Sequence, residues 1–208
     1  YEVDPAAASV TLSIDDGGMP GEVIDGTEGE DRLFGTGADD TITAFEGDDT
    51  VFGRAGNDAI DGGSENDRIA GYAGNDILTG CSGDDRMFSS SGTDILDGGS
   101  GDDRLFGGDD RDILIGNMGD DFLNGGDGDD VLMGVTGRDV LVGGDGADLF
   151  VYGVGDGKDL IRDFEVGIDK IGLVESEFTF DDLTITQSGS RTVLGVASSG
   201  ETLAVLKG

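Results

Sequence analysis

The stretch GGDGDDVLMGVTGRDVLVGGDGADLFV, residues 125–151, is three nine-residue words laid end to end, each with Asp in sixth place and an apolar residue in eighth. The same frame runs without a slip from Gly26 to Val151, fourteen words in all. Its Asp series is Asp31, Asp40, Asp49, Asp58, Asp67, Asp76, Asp85, Asp94, Asp103, Asp112, Asp121, Asp130, Asp139 and Asp148. Its apolar series runs Leu33, Ile42, Val51, Ile60, Ile69, Leu78, Met87, Leu96, Leu105, Leu114, Leu123, Leu132, Leu141 and Phe150. A repeating backbone geometry must be selecting both. Gly fills the first place in 12 of 14 words and the fourth in 11, as expected where the chain needs positive φ or close backbone packing.

Each word divides into a six-residue turn and a three-residue strand whose middle residue points inward while its neighbours point out. One word cannot bury its apolar residue. Two words per coil place two short parallel sheets face to face, so that words 18 residues apart stack directly. Stacked coils lie about 4.8 Å apart, and calcium takes oxygen ligands at roughly 2.3 to 2.6 Å. An ion midway between neighbouring turns fits that spacing, held by one carboxylate and the carbonyl oxygens of each turn. Magnesium, with shorter and stiffer octahedral bonds, suits it less.

Composition points the same way. A net charge of -34 with only 6% aromatic residues describes a chain that stays disordered unless something cationic enters. Nucleic acid and anionic membrane surfaces are disfavoured as partners, because they would be repelled. Divalent metal is the natural counterion. The single cysteine, Cys81, excludes an intramolecular disulfide and reads as incidental. The lack of histidine excludes an HExxH zinc centre and Ser-His or Cys-His pairs from this segment, which reads as non-catalytic. No apolar run reaches the length of a membrane span, and no amino-terminal signal peptide is visible.

The pattern GGxGxDxUx resembles that of the repeats-in-toxin, or RTX, proteins over about three fifths of the chain. The resemblance implies an all-β, right-handed parallel β-roll loaded with calcium. It also implies that each Asp of the series ligates calcium together with main-chain oxygens of its own turn and of the turn one coil away. Odd words then stack Asp31, Asp49, Asp67, Asp85, Asp103, Asp121 and Asp139; even words stack Asp40, Asp58, Asp76, Asp94, Asp112, Asp130 and Asp148. Six gaps per column give at most about 12 full sites. Weak or empty sites are expected near Ala44 and Phe45, near Ser89, Ser90 and Ser91, and at Ala38, Glu65 and Asp110, where words depart from the pattern.

Three parts follow: an amino-terminal linker or cap strand at 1–25, with a strand over Ser9 to Ile14; the fourteen-repeat roll at 26–151; and a β-rich carboxy-terminal cap at 152–208. In the last part KIGLV, DDLTITQSG, RTVLGV and TLAVLKG read as strands, with hairpin connections at Gln187 to Ser190 and Ala197 to Gly200. Phe164, Phe178, Phe180 and Leu183 are available to cover the open end of the solenoid. This tail resembles the carboxy-terminal region of type I secreted RTX proteins, which implies an uncleaved secretion signal, the type I machinery as a partner and an extracellular or cell-surface location.

The two outer faces differ. Odd words show Arg32, Arg68, Arg86 and Arg104 beside Phe34, Phe52, Phe88 and Phe106. Arg68, Arg86, Arg104, Phe88 and Phe106 form a candidate ligand face for an acidic polysaccharide, set against the alternative of ladders that relieve charge on nearby carboxylates. Even words show Ile77, Ile95, Ile113, Ile115, Val131, Met133, Leu149 and Val151, a stripe that needs a cover. The folded-back tail is the first candidate, with dimerisation or an upstream domain second. The chain therefore reads as the calcium-binding, folding and export module of a secreted bacterial protein. Two readings compete: an accessory module of a protease, lipase or alginate-modifying enzyme, and a surface-layer or adhesin segment.

Overall fold

A three-residue run with one apolar residue at its centre hides one side chain and shows two, so it is stable only when stacked and faced by another sheet. A computed structural model shows this arrangement, and the structure describes residues 11–13, 21–153, 155–174, 183–188, 191–196 and 202–207. Among them every regular element is a strand, and no helix is long and apolar enough to cross a membrane. The first sheet stacks β1 (Thr11–Ser13), β3 (Arg32–Phe34), β5 (Thr50–Ala55), β7 (Arg68–Ala73), β9 (Arg86–Ser91), β11 (Arg104–Asp109), β13 (Phe122–Asp127), β15 (Val140–Asp145) and β17 (Asp159–Ile161). The second stacks β2 (Val23–Asp25), β4 (Thr41–Thr43), β6 (Ala59–Ser64), β8 (Ile77–Ser82), β10 (Ile95–Ser100), β12 (Ile113–Met118), β14 (Val131–Thr136), β16 (Leu149–Tyr152) and β18 (Lys170–Leu173).

The pairing is parallel with an offset of 18 residues, as in Leu105 against Leu123 and Leu96 against Leu114. The eighth-place residues of the two sheets form one file between them, and those from Leu33 to Phe150 are all buried. The fold is the expected parallel β-roll, with a core one side chain thick.

Two details differ from the expectation of a six-residue turn. Strands β5 to β15 are six residues long and continue through the first three places of the next word, leaving three residues for the turn proper. The bend inside each strand falls on the second place, which takes positive φ even in Arg54 (84°), Tyr72 (80°), Cys81 (75°) and Val135 (73°). Neighbouring rungs bend alike, so their peptide groups keep pairing through the corner, as Asn117 does with Val135. The fourth place is also left-handed, and there the approach of the previous coil explains the glycine. A Cβ added at Gly74 (φ 130°) would stand 1.8 Å from the Gly56 carbonyl oxygen.

Stacking outlasts the nine-residue frame. Val140 pairs with Leu160 at an offset of 20, and Leu149 with Lys170 at 21, so β17 and β18 are two further rungs. The tail strands β21 (Thr202–Lys207), β20 (Arg191–Val196) and β19 (Leu183–Ser188) then extend the first sheet, β21 parallel on β17 and the other two antiparallel. Leu194 and Ala204 are buried in the shared core, and Phe164 packs on Phe150 with ring centroids 6.0 Å apart. Phe178, Phe180, Gly189 and Ser190 of the first expected hairpin connection, and all of the second from Ala197 to Gly200, lie outside the described residues.

A β-branched side chain at φ 73° is strained by about 1 to 2 kcal/mol, more than the entropy cost of Gly at the same place. Val135→Gly is therefore expected to stabilise the roll by about 1 kcal/mol, read as a higher urea midpoint in saturating calcium. A lower midpoint would show that Val135 packing outweighs the strain.

Candidate metal centre

Each sixth-place Asp ends a turn, where the chain enters the next strand with its side chain directed inside the coil. All fourteen are buried, at 5% exposure or less. From Asp40 to Asp148 each carboxylate uses its Oδ1 to clamp the rung before it. Asp121 Oδ1 accepts the N–H of Asp103 at 2.8 Å, Asp139 Oδ1 that of Asp121 at 2.9 Å, and Asp130 Oδ1 that of Asp112 at 2.8 Å. The fifth place carries a second, outer ladder of opposite sense: Asp84 Oδ1 accepts the N–H of Asp102, and Asp102 Oδ1 that of Asp120, both at 2.9 Å.

The other inner oxygen is left over. Among the described residues, Oδ2 of Asp49, Asp58, Asp67, Asp76, Asp85, Asp94, Asp103, Asp112, Asp121, Asp130, Asp139, Asp148 and Asp159 is buried without a hydrogen-bond partner. A buried, unpaired carboxylate oxygen is costly, so a repeated one marks a place where something positive belongs. The first-place glycine explains the cradle. A Cβ at Gly125 would stand 2.1 Å from Asp130 Oδ2 and 2.7 Å from the carbonyl oxygen of Gly143, one coil on. Carboxylate and carbonyl oxygens of two successive coils thus converge where the side chain is missing, which is the hard oxygen donor set that calcium takes. Among the described residues no three acidic or sulfur side chains gather into a metal cluster. A cation here would therefore rest on one carboxylate per turn and on main-chain carbonyls.

The departing words differ locally. Ala44 and Ser89, both buried, put a side chain where glycine leaves space, and Ser89 Oγ donates to the Gly107 carbonyl at 2.6 Å beside Asp94. Glu65 keeps the left-handed fourth place at φ 74° and accepts the Gly47 N–H at 2.9 Å. Asp110 also keeps it, at φ 74°. Two equivalents of the series escaped the frame. Asp159 Oδ1 accepts the Asp139 N–H at 3.0 Å, and Asp169 Oδ1 that of Asp148 at 3.1 Å. Their signal was the kept spacing from Asp to a core residue two places on, Ile161 and Ile171.

Without metal the inner carboxylates resist ionisation. Burial pushes Asp67 and Asp112 up to about 8, and Asp58, Asp103 and Asp121 up to about 7, against the opposing pull of the N–H each accepts. Asp49, Asp76, Asp85, Asp130 and Asp148 rise to about 6 for the same reason.

On the first sheet's outer face, Phe88 and Phe106 stack at 4.9 Å and Phe34 and Phe52 at 5.0 Å. Arg68 and Arg86 lie over Phe88 at 5.4 and 5.2 Å, and Arg32 over Phe34 at 5.2 Å. Arg104 pairs in register with Arg86. Arg32, Arg54, Phe34, Phe52 and Tyr72 line a groove of about 510 Å³ at the amino-terminal rungs. On the second sheet Ile77 and Ile95 remain exposed, and Ile113, Val131 and Leu149 continue their row half-buried. The described tail strands join the other sheet, so they do not cover this stripe as expected; β17 offers them an open parallel edge instead.

The family of the RTX calcium-binding nonapeptide repeat, in units of four copies, matches at residues 25–60, 61–96, 88–123, 97–132 and 124–159. No curated protein matches the chain. Among solved structures, the extracellular lipase LipA from Serratia marcescens is similar at 20% identity with a TM-score of 0.42, over 93% of this chain. The chain spans 38% of the length of that lipase.

A carboxyl whose folded value lies above its unfolded 3.8 takes up a proton on folding, so it opposes folding as pH rises through the folded value. In excess chelator the roll should lose stability steadily as pH rises from about 4 to about 8. Circular dichroism in chelator at pH 5 should therefore show more β-structure than at pH 8. Equal order at both would contradict the burial of ion-free carboxylates.

Proposed function

The chain belongs to the family of RTX calcium-binding nonapeptide repeats, and from that premise we propose that its sixth-place aspartates from Asp49 onward, whose Oδ2 atoms are buried without a partner, are the calcium ligands of a module that folds outside the cell. The observation that carries this reading is the file of buried Oδ2 atoms without partners, all but those of Asp49, Asp94 and Asp159 beside a glycine whose missing side chain leaves room for them. Calcium, when bound, supplies positive charge and takes up these oxygens. The aspartates hold the rungs in register through Oδ1, and the glycines hold the carbonyls in reach. Word three at Ala44 and word eight at Ser89 offer the poorest cradles.

The repeat segment is structural, and any catalysis lies elsewhere in the protein. With a net charge of -34 the chain repels itself wherever calcium is scarce, which keeps it open for threading through a type I secretion channel. Outside, where calcium is plentiful, its binding becomes folding free energy.

A second reading is favoured by the outer face of the first sheet. Five of the chain's 12 cations, Arg32, Arg54, Arg68, Arg86 and Arg104, fall on five consecutive rungs of one face, on a protein with 46 acidic residues. Their neighbours are phenyl rings. Ring edges carry partial positive charge, so this strip suits a linear polymer with carboxylates at intervals, an acidic polysaccharide.

Circular dichroism followed through a calcium titration should show cooperative gain of β-structure. Asp103→Ala removes a ligand and the clamp of its Oδ1 on the Asp85 N–H, and Gly101→Val blocks a left-handed turn (φ 127°); each should raise the calcium midpoint several-fold. Folding of both at the parental midpoint would rule out the assignment. For the second reading, Arg86→Ala with Arg104→Ala should weaken binding of a short oligouronate roughly tenfold in calcium. Unchanged binding, or none by the parent, would remove it.

A further inference from the structure

The file of unpaired carboxylate oxygens has two ends, and neither coincides with the end of the nine-residue frame. At the amino-terminal end, Asp31 Oδ2 accepts both the N–H of Thr27 at 2.5 Å and its Oγ1 hydroxyl at 3.0 Å. Asp40 Oδ2 likewise accepts the N–H of Thr36 at 2.6 Å and its hydroxyl at 3.0 Å. Both threonines hold the second place of their words. From Phe45 onward that place is left-handed, whereas Thr27 and Thr36 are not among the positive-φ residues. Their different backbone turns the N–H onto the carboxylate. A donor hydrogen and a metal ion cannot share that lone pair, since both bring positive charge to one point.

At the other end the even column closes in the same manner. Asp169 Oδ1 clamps the rung of Asp148, while its Oδ2 accepts the N–H of Glu165 at 2.7 Å. The odd column does not close. Asp159 continues the clamp on Asp139, but its Oδ2 is buried and unpaired, in a turn lengthened by two residues. The Tyr152 side chain is 1% exposed, its hydroxyl is also without a hydrogen-bond partner, and it lies within electrostatic reach of Asp159, Asp139 and Asp156. Gly157 repeats the left-handed fourth place at φ 100° and stacks on Gly137 as earlier turns do.

We propose that the calcium column extends beyond the nonapeptide frame to a site between the Asp139 and Asp159 turns, lined by Tyr152, and stops short of Asp31 and Asp40, where Thr27 and Thr36 take the place of the ion. This rests on the reading of the sixth-place aspartates as calcium ligands. Thr27, Thr36 and Glu165 act as stoppers made of the chain's own N–H groups. The active set is thereby shifted along the roll relative to the set that the repeat words alone would give.

The test uses the full chain, native mass spectrometry in calcium and terbium as a luminescent stand-in. The chain has three tyrosines and no tryptophan, and Tyr72 is exposed on the outer face, so Tyr152 should be the main sensitiser of a bound terbium ion. Asp159→Asn keeps the Oδ1 clamp; it should lower the calcium count by one and cut sensitised emission more than twofold. Tyr152→Phe should cut the emission as much without unfolding the roll, and Asp40→Asn should change neither readout. Loss of an ion in Asp40→Asn, or a full calcium count and full emission in Asp159→Asn, would overturn the proposal while leaving the calcium reading intact. A parent chain that takes up neither ion would overturn both.

Discussion

Everything in this roll depends on the division of labour within one carboxylate. Oδ1 of each sixth-place Asp from Asp40 onward satisfies a main-chain N–H on the rung before it, as Asp112 does for Asp94 and Asp148 for Asp130. That bond fixes the offset of 18 residues and draws the acid inside the coil. From Asp49 onward Oδ2 then has nothing among the described residues to accept from, and burial, aided by neighbouring carboxylates, lifts acids such as Asp112 well above their ordinary range. The clamp that builds the stack is therefore also what makes the stack intolerant of its own charge. Protons or metal must resolve the conflict, and protons do so less and less as pH rises through the range of these acids. Folding and ion uptake become one event, because the ion-free roll concentrates the repulsion that the open chain spreads over its length.

The core contributes little that could substitute for this. One apolar residue per word, in a file from Ile24 to Ile161, leaves each rung in contact mainly with its neighbours. Stability in such a stack is a sum of rung and interface contributions, so a local defect weakens the roll locally. Strain is carried in the same distributed way. Seven second-place residues that are not glycine, from Phe45 to Val135, sit at φ between 72° and 86°. Their side chains stand outside the corner, where Arg54 and Tyr72 help line the groove of the first sheet. The outer chemistry of that face therefore comes partly from residues in a backbone state that would favour glycine.

Much of this was legible in the sequence because the selecting forces act at fixed places. The sixth-place Asp and the eighth-place apolar residue each answer to one constraint, and both hold through all fourteen words. The second place was not legible, since Arg54, Tyr72, Cys81, Ser90 and Val135 share a backbone angle but no side-chain chemistry. The outer ladder was missed although its mark was visible, as Asp or Asn directly before the invariant Asp in words such as those of Asp85, Asp103 and Asp121. Asp159 and Asp169 were hidden by longer turns that shift the frame but keep the rung. Periodicity finds what repeats in number; stacking preserves what repeats in space.

The alternation of sheets also constrains how such a chain can change in length. Successive words belong to opposite faces, one bearing Arg86 and Phe88, the next Ile95 and Asp97. Deleting a single word would send every later rung across the core, seating isoleucines on an arginine row and breaking both outer ladders at the junction. Deleting two would close the gap with like upon like. Growth and loss in this architecture are therefore quantised in pairs, and a gene encoding it can lengthen or shorten safely only by the increment that returns each rung to its own side.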